Sequence, residues 1–167
     1  MNAKILVLII LLLPAWPASA DLCDGIALQV NGASKHLADG RQAKKEDFRG
    51  SNPGLGIVCQ GIGDRWRSDW VAGAYRNSVY RDSVYLANSR YLRFASSAGW
   101  HADIGVALGV VTGYAEQPRV PKVAGDVGLL GYLTASVGKA GAGKINIAWL
   151  PTIMVGVNID IDIWSRR

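Results

Sequence analysis

The sequence predicts an all-β fold: an eight-stranded antiparallel barrel that crosses an outer membrane. Three observations carry this. The chain opens with the grammar of an export signal, its later segments alternate apolar and polar residues, and its connections alternate between short and long.

The opening residues come first in the argument because they set the compartment. Lys4 supplies a positive start, Ile5 to Leu13 an apolar run, and Pro14 and Pro17 a break. Ala18-Ser19-Ala20 then gives a small-x-small cleavage pattern. The apolar run is too short for a membrane-crossing helix, which needs roughly 20 residues. Residues 1–20 are therefore expected to be removed, leaving 21–167 as a single barrel domain. The residues before Cys23 do not form a lipoprotein cleavage box. No later stretch reaches 18 consecutive apolar residues.

Strands follow from periodicity. From Val155 to Trp164, apolar Val155, Val157, Ile159, Ile161 and Ile163 alternate with Gly156, Asn158, Asp160, Asp162 and Trp164. Period two makes a strand, since a helix would scatter the aspartates around its circumference. Water in a barrel lumen can solvate Asp160 and Asp162, whereas lipid cannot. Similar alternation recurs along 102–112, 145–149 and 66–74. In all, eight strands are predicted near 31–37, 54–60, 65–77, 82–94, 100–113, 127–137, 143–150 and 153–164. An even number closes an antiparallel sheet without edges. Trp66, Trp70, Tyr91, Trp100, Tyr114, Tyr132 and Trp149 fall mostly near strand ends and are expected to form aromatic girdles. Connections 61–64, 95–99 and 138–142 are short and belong on one rim. Connections 38–53 and 115–126 are longer and belong on the other.

After cleavage the chain carries 17 Lys/Arg against 13 Asp/Glu. That balance suits an anionic membrane surface, and export together with the absence of any nucleic-acid motif argues against nucleic acid as the partner. Cys23 and Cys59 either form a disulfide in an oxidising compartment or act as two small apolar fillers. No metal-ligand spacing is present, and no cofactor is expected.

Topology filters the chemistry. His36 ends the first predicted strand and Ser78 follows the third, so both belong to one rim, while His101 begins the fifth at the opposite rim. Serine needs a base to become a nucleophile, and histidine is the usual one. Asn77 is a candidate to orient the imidazole or a substrate carbonyl. Ordinary loop-edge roles are the alternative for all three. Gly105, Ala107 and Gly109 either open a cavity on the lumen side or fit strand curvature, with Ala87 and Ser89 at its lower end. In the first loop, Arg41, Lys44, Lys45 and Arg49 sit beside Glu46 and Asp47, where lipid phosphates would lie. Arg76, next to Ser78, is a further candidate for phosphate.

His36, Ser51-Asn52-Pro53-Gly54-Leu55-Gly56, Tyr75-Arg76-Asn77-Ser78, Leu133-Thr134-Ala135-Ser136-Val137-Gly138 and Trp149-Leu150-Pro151 occur in an order and spacing that resemble the lipid A palmitoyltransferases. That resemblance implies an outer-membrane acyltransferase that moves an acyl chain from a phospholipid to lipid A, within a lumen that measures the chain. It implies His36, Asn77 and Ser78 as catalytic rim residues, and Arg76, Arg41, Lys44, Arg49, Gly105 and Gly109 at the substrate. It further implies Pro53 and Pro151 at strand gaps for lateral lipid access, because proline cannot donate to a ladder. The chain departs from the family in having Asn77 for Asp, Leu133 for Pro, and no amphipathic N-terminal helix. Expected partners are phospholipid, lipopolysaccharide and the barrel-assembly machinery, around a monomer. A lipid esterase or deacylase, a non-enzymatic shielding or ligand-binding barrel, and a periplasmic lipocalin-like carrier are the competing classes.

Overall fold

The computed structural model describes residues 23–37, 50–61, 63, 65–114, 117, 120–150 and 154–166. The export signal, Arg41, Lys44, Arg49 and Pro151 lie outside the described residues.

The chain forms a closed antiparallel barrel of eight strands, with no helix among the described residues. The strands are β1 (Gly25–His36), β2 (Ser51–Gln60), β3 (Trp66–Arg76), β4 (Asp82–Ser97), β5 (Trp100–Val111), β7 (Val127–Lys139), β8 (Gly143–Leu150) and β9 (Met154–Ser165). A three-residue strand, β6 (Lys122–Ala124), folds back on the start of β7 and is not a barrel stave. Each stave pairs with its chain neighbours, and β1 closes the ring on β9. The short turns 61–65, 98–99 and 140–142 share one rim, here the lower. Residues 77–81, the end of β1, the start of β2 and residues 112–114 lie at the upper rim.

Two phases run along every stave. The outward phase is largely apolar and exposed, as with Leu55 and Ile57 on β2, Val84 and Leu86 on β4, and Ile145 and Ile147 on β8, with Ser68 on β3 and Asn88 and Arg90 on β4 as a polar patch in it. Trp66, Trp70, Trp100 and Trp149 belong to it. Tyr91 and Tyr132 do not, which corrects the girdle expected for them. Tyr91 shares the inward phase of β4 with Ser89 and is 6% exposed, and Tyr132 lines the lumen from β7.

The lower lumen is filled by a balanced charge network. Lys144 Nζ lies 2.7 Å from Asp69 Oδ2 and 3.4 Å from Asp160 Oδ2. Arg67 joins Asp69 at 3.1 Å to Asp103 at 3.2 Å, and Arg93 Nε meets Asp103 Oδ1 at 2.9 Å. Gln29 Nε2 donates to Asp160 Oδ1 at 2.8 Å. Arg67 and Lys144 lie 5.0 and 4.7 Å from the centroid of the Tyr91 ring. Three cations thus face three carboxylates, and the space left among them is about 10 Å³, enough for about one water. His101 belongs to this network, 3.8 Å from Asp103. Higher up, inward Asn31, Tyr75, Tyr85, Leu130, Leu150 and Met154 keep partial exposure, so the lumen is filled below and more open above.

At the lower rim Cys23 and Cys59 form a disulfide, so the first of the two cysteine readings holds.

Candidate active site

The position of His36 depends on an irregularity in β1. Up to Asn31 the odd residues face inward: Gly25, Ala27 and Gln29 are buried. Pairing with β9 then jumps from Asn31↔Asn158 to Ser34↔Gly156, three residues along β1 against two along β9. This β-bulge, with Gly32 inside it, reverses the phase, so Ser34 and His36 point inward where unbroken alternation would send them outward. The redirected imidazole places Nε2 3.3 Å from Ser78 Oγ.

Ser78 sits in the β3–β4 turn, which Asn77 builds. Asn77 Oδ1 accepts from the backbone N–H of Val79 at 3.0 Å and of Arg81 at 2.9 Å. Its Nδ2 donates to Ser83 Oγ at 2.9 Å and to the Gly113 carbonyl at 3.0 Å. Two acceptor and two donor positions are all an amide has, so none is left for the imidazole. Asn77 therefore does not orient His36 through its side chain, although it is completely buried beside the site. The Gly113 carbonyl also explains why an amide occupies this position, since a carboxylate cannot donate to it. Tyr80, at φ +63°, completes the turn in the left-handed region, a conformation uncommon for a bulky residue.

A further hydroxyl, that of Tyr114, stands at this rim on the segment after β5. Burial raises the Tyr114 phenol above the usual range. Its Oη lies 3.0 Å from Tyr75 Oη, and the Tyr75 ring stands edge-on to Tyr85 with centroids 5.6 Å apart. Tyr85 crosses the lumen to donate to Gln29 Oε1 at 2.7 Å and to accept from Asn31 at 3.2 Å. Gly56 and Gly73 make this crossing possible, because a Cβ on either would fall 2.6 Å from the Tyr85 hydroxyl.

Beside the site the barrel wall is interrupted. The β2–β3 ladder ends at Gly54↔Tyr75, while β3 continues to Arg76 against β4. A cleft of about 380 Å³ opens there, lined by Pro53, Gly54, Tyr75, Arg76 and Ser83 among others. Pro53 and Arg76 thus meet at one opening, and Arg76 makes an exposed 2.9 Å ion pair with Asp82. The β7–β8 ladder likewise stops at Leu133↔Trp149, leaving the upper part of β7 paired only to β5 and β6 among the described strands. Gly105 and Gly109 face inward deeper on β5, away from His36 and Ser78. A side chain at 105 would strike the Arg90 carbonyl and approach the Tyr91 ring, and one at 109 would strike Ala87. Their smallness serves close strand approach.

Among the described residues no group of His, Cys, Asp or Glu is arranged to hold a metal ion. No protein-family model matches the chain, and no curated protein matches its sequence.

Sequence reading missed Tyr75 and Tyr114 as members of the site, and missed the charge network except for its aspartates on β9. The available signal was inward phase: Arg67, Asp69, Arg93, Asp103 and Lys144 all share the phase of their strand's lumen residues.

Proposed function

We propose that this protein is an outer-membrane barrel enzyme that transfers an acyl chain from a phospholipid to lipid A. The observation that carries the reading is the 3.3 Å approach of His36 Nε2 to Ser78 Oγ, at a rim beside an opening in the barrel wall. The membrane location rests on the largely apolar outward phase of the staves around a polar interior, the inverse of a soluble protein. In the proposed reaction His36 Nε2 takes the Ser78 proton as Oγ attacks the acyl carbonyl. The ester bond to glycerol breaks, and His36 returns the proton to the departing hydroxyl. A lipid A hydroxyl, deprotonated by the same imidazole, then attacks the acyl-enzyme and frees Ser78. Arg76, whose exposed ion pair with Asp82 is worth little in water, is placed to exchange that partner for a lipid phosphate. The filled lower lumen confines an acyl chain to the upper half.

Ser78 is 2% exposed. An acyl-enzyme shielded from bulk water favours transfer over hydrolysis. The test is mass spectrometry of lipid A from cells expressing the wild type, His36→Ala and Ser78→Ala. A gain of one acyl group, absent in both variants, is the expected result. An acyl loss that needs both residues would make the protein a deacylase. Unchanged lipid A, with the barrel folded in the membrane, would leave a non-enzymatic shielding or binding barrel.

A further inference from the structure

When a serine Oγ attacks a carbonyl, negative charge gathers on the carbonyl oxygen, and a donor held ready for it lowers the barrier. Asn77 is a poor candidate, because all four of its amide positions are engaged, and the same bonds occupy the N–H groups of Val79 and Arg81. Asn52 is different. It is 9% exposed and shares the inward phase of β2 with buried Gly56 and Val58. Its Nδ2 donates to Ser34 Oγ, while its Oδ1, also buried, has no hydrogen-bond partner among the described residues. One end of this amide is anchored and the other is open.

We infer that Asn52 is the group that holds the substrate's acyl carbonyl, with Ser34 as the residue that positions its amide. This rests on the acyl-transfer reading above. Topology sets the place. β2 is the stave between β1, which carries His36, and β3, which leads into Ser78. Neighbouring strands stand about 4.8 Å apart, so an imidazole and a hydroxyl that reach 3.3 Å from opposite sides of β2 meet in front of it. Asn52 is the inward residue at that end of β2. Its partner Ser34 shares the inward phase of His36 on β1. On the other side the last β2–β3 pair is Gly54↔Tyr75, and the next inward residue up each strand is Asn52 and Asn77, the latter adjacent to Ser78. Pro53 favours an extended backbone at Asn52, which keeps the side chain directed into the lumen. The chemistry suits an ester, whose carbonyl accepts and cannot donate. A hydroxyl does both, so a half-turn of the amide keeps the Ser34 bond, now from Ser34 Oγ to Oδ1, and brings Nδ2 to the open side. Nδ2 then donates to the carbonyl oxygen, and more strongly once that oxygen is charged.

The experiment is active-site labelling of the full-length protein in detergent with an alkyl fluorophosphonate. Ser78 Oγ displaces fluoride, His36 takes the hydroxyl proton, and the phosphoryl oxygen occupies the place of the carbonyl oxygen. Wild type should label at Ser78, and Asn52→Ala should label about 10²-fold more slowly with little change in the probe concentration for half-maximal rate. Asn52→Asp separates donation from packing. Ionised in weakly alkaline buffer, its carboxylate still accepts from Ser34 Oγ but has no proton to give, so it should label as slowly as Asn52→Ala. Ser34→Ala, which releases the amide without removing it, should slow labelling less, and heat-modifiable gel migration reports whether each variant is folded. Folded Asn52→Ala or Asn52→Asp that labels at the wild-type rate overturns the assignment of Asn52 while leaving the serine reading intact. Wild-type protein that does not label, or labels equally as Ser78→Ala, overturns both.

Discussion

His36 and Ser78 meet at the upper rim although 42 residues separate them, and a single bulge in β1 is what turns the histidine toward the serine. Were β1 regular between Asn31 and Ser34, His36 would keep the phase opposite to Gln29 and point away from the lumen. Deleting Lys35 should move His36 to the outward phase next to Ser34, turn the imidazole outward and reduce acyl transfer to the level of His36→Ala. The check is acyl-transfer activity beside gel migration. A folded deletion variant with wild-type activity would show that the phase of β1 at His36 does not set the site.

Asn77→Asp should not raise the proposed acyl transfer, even though the family that the sequence resembles carries Asp at this position. The substitution replaces the donor to the Gly113 carbonyl with a carboxylate oxygen, setting two acceptors against each other in a buried place. The expected cost is about 1–3 kcal/mol, read as a lowered urea midpoint in micelles, together with reduced activity from a loosened turn. Equal stability and higher activity would contradict the structural role assigned to Asn77.

Lys144 bridges Asp69 and Asp160 inside the lumen. Lys144→Met should leave buried Asp160 without a cation and Asp69 with Arg67 alone, at a cost of about 3–5 kcal/mol. Adding Asp69→Asn should recover part of that loss. The double-mutant cycle on unfolding free energy measures the coupling, and additive losses would show that the pair does not act as a unit.

The Cys23–Cys59 disulfide closes a loop with a sequence separation of 36, for which chain entropy gives about 4 kcal/mol. It lies at the lower rim, the far end of β1 from His36. The Cys23→Ala/Cys59→Ala double variant should unfold more readily yet keep its turnover number when folded. A matching loss of turnover would place the bridge in the catalytic machinery.

The barrel itself was legible because lumen and exterior impose opposite chemistry at period two, and stretches such as Val155–Trp164 write that period plainly. Chain order together with parity even brought His36 and Ser78 to one rim. The beginning of β1 was not legible: Gly25-Ile26-Ala27-Leu28 sets small apolar residues inward and large ones outward, so the two faces do not differ in polarity. The bulge further hid the strand by reversing its phase midway. Tyrosine was ambiguous for a different reason, since its ring suits a girdle and its hydroxyl suits a polar lumen. Tyr91 and Tyr132 follow the second preference because their inward phase offers Lys144, Ser89 and Asp69 as neighbours. The use of the Asn77 amide depended on Gly113, and no spacing rule connects a turn to a carbonyl 36 residues away.

The most direct measurement incubates purified protein in micelles with lipid A and a phospholipid carrying one deuterated acyl chain, then weighs the lipid A. Acyl transfer by Ser78 and His36 predicts lipid A heavier by one deuterated acyl group with the wild type, and unlabelled lipid A with Ser78→Ala or His36→Ala. Label transferred equally by the wild type and by folded Ser78→Ala, or no label with folded wild type, would contradict it.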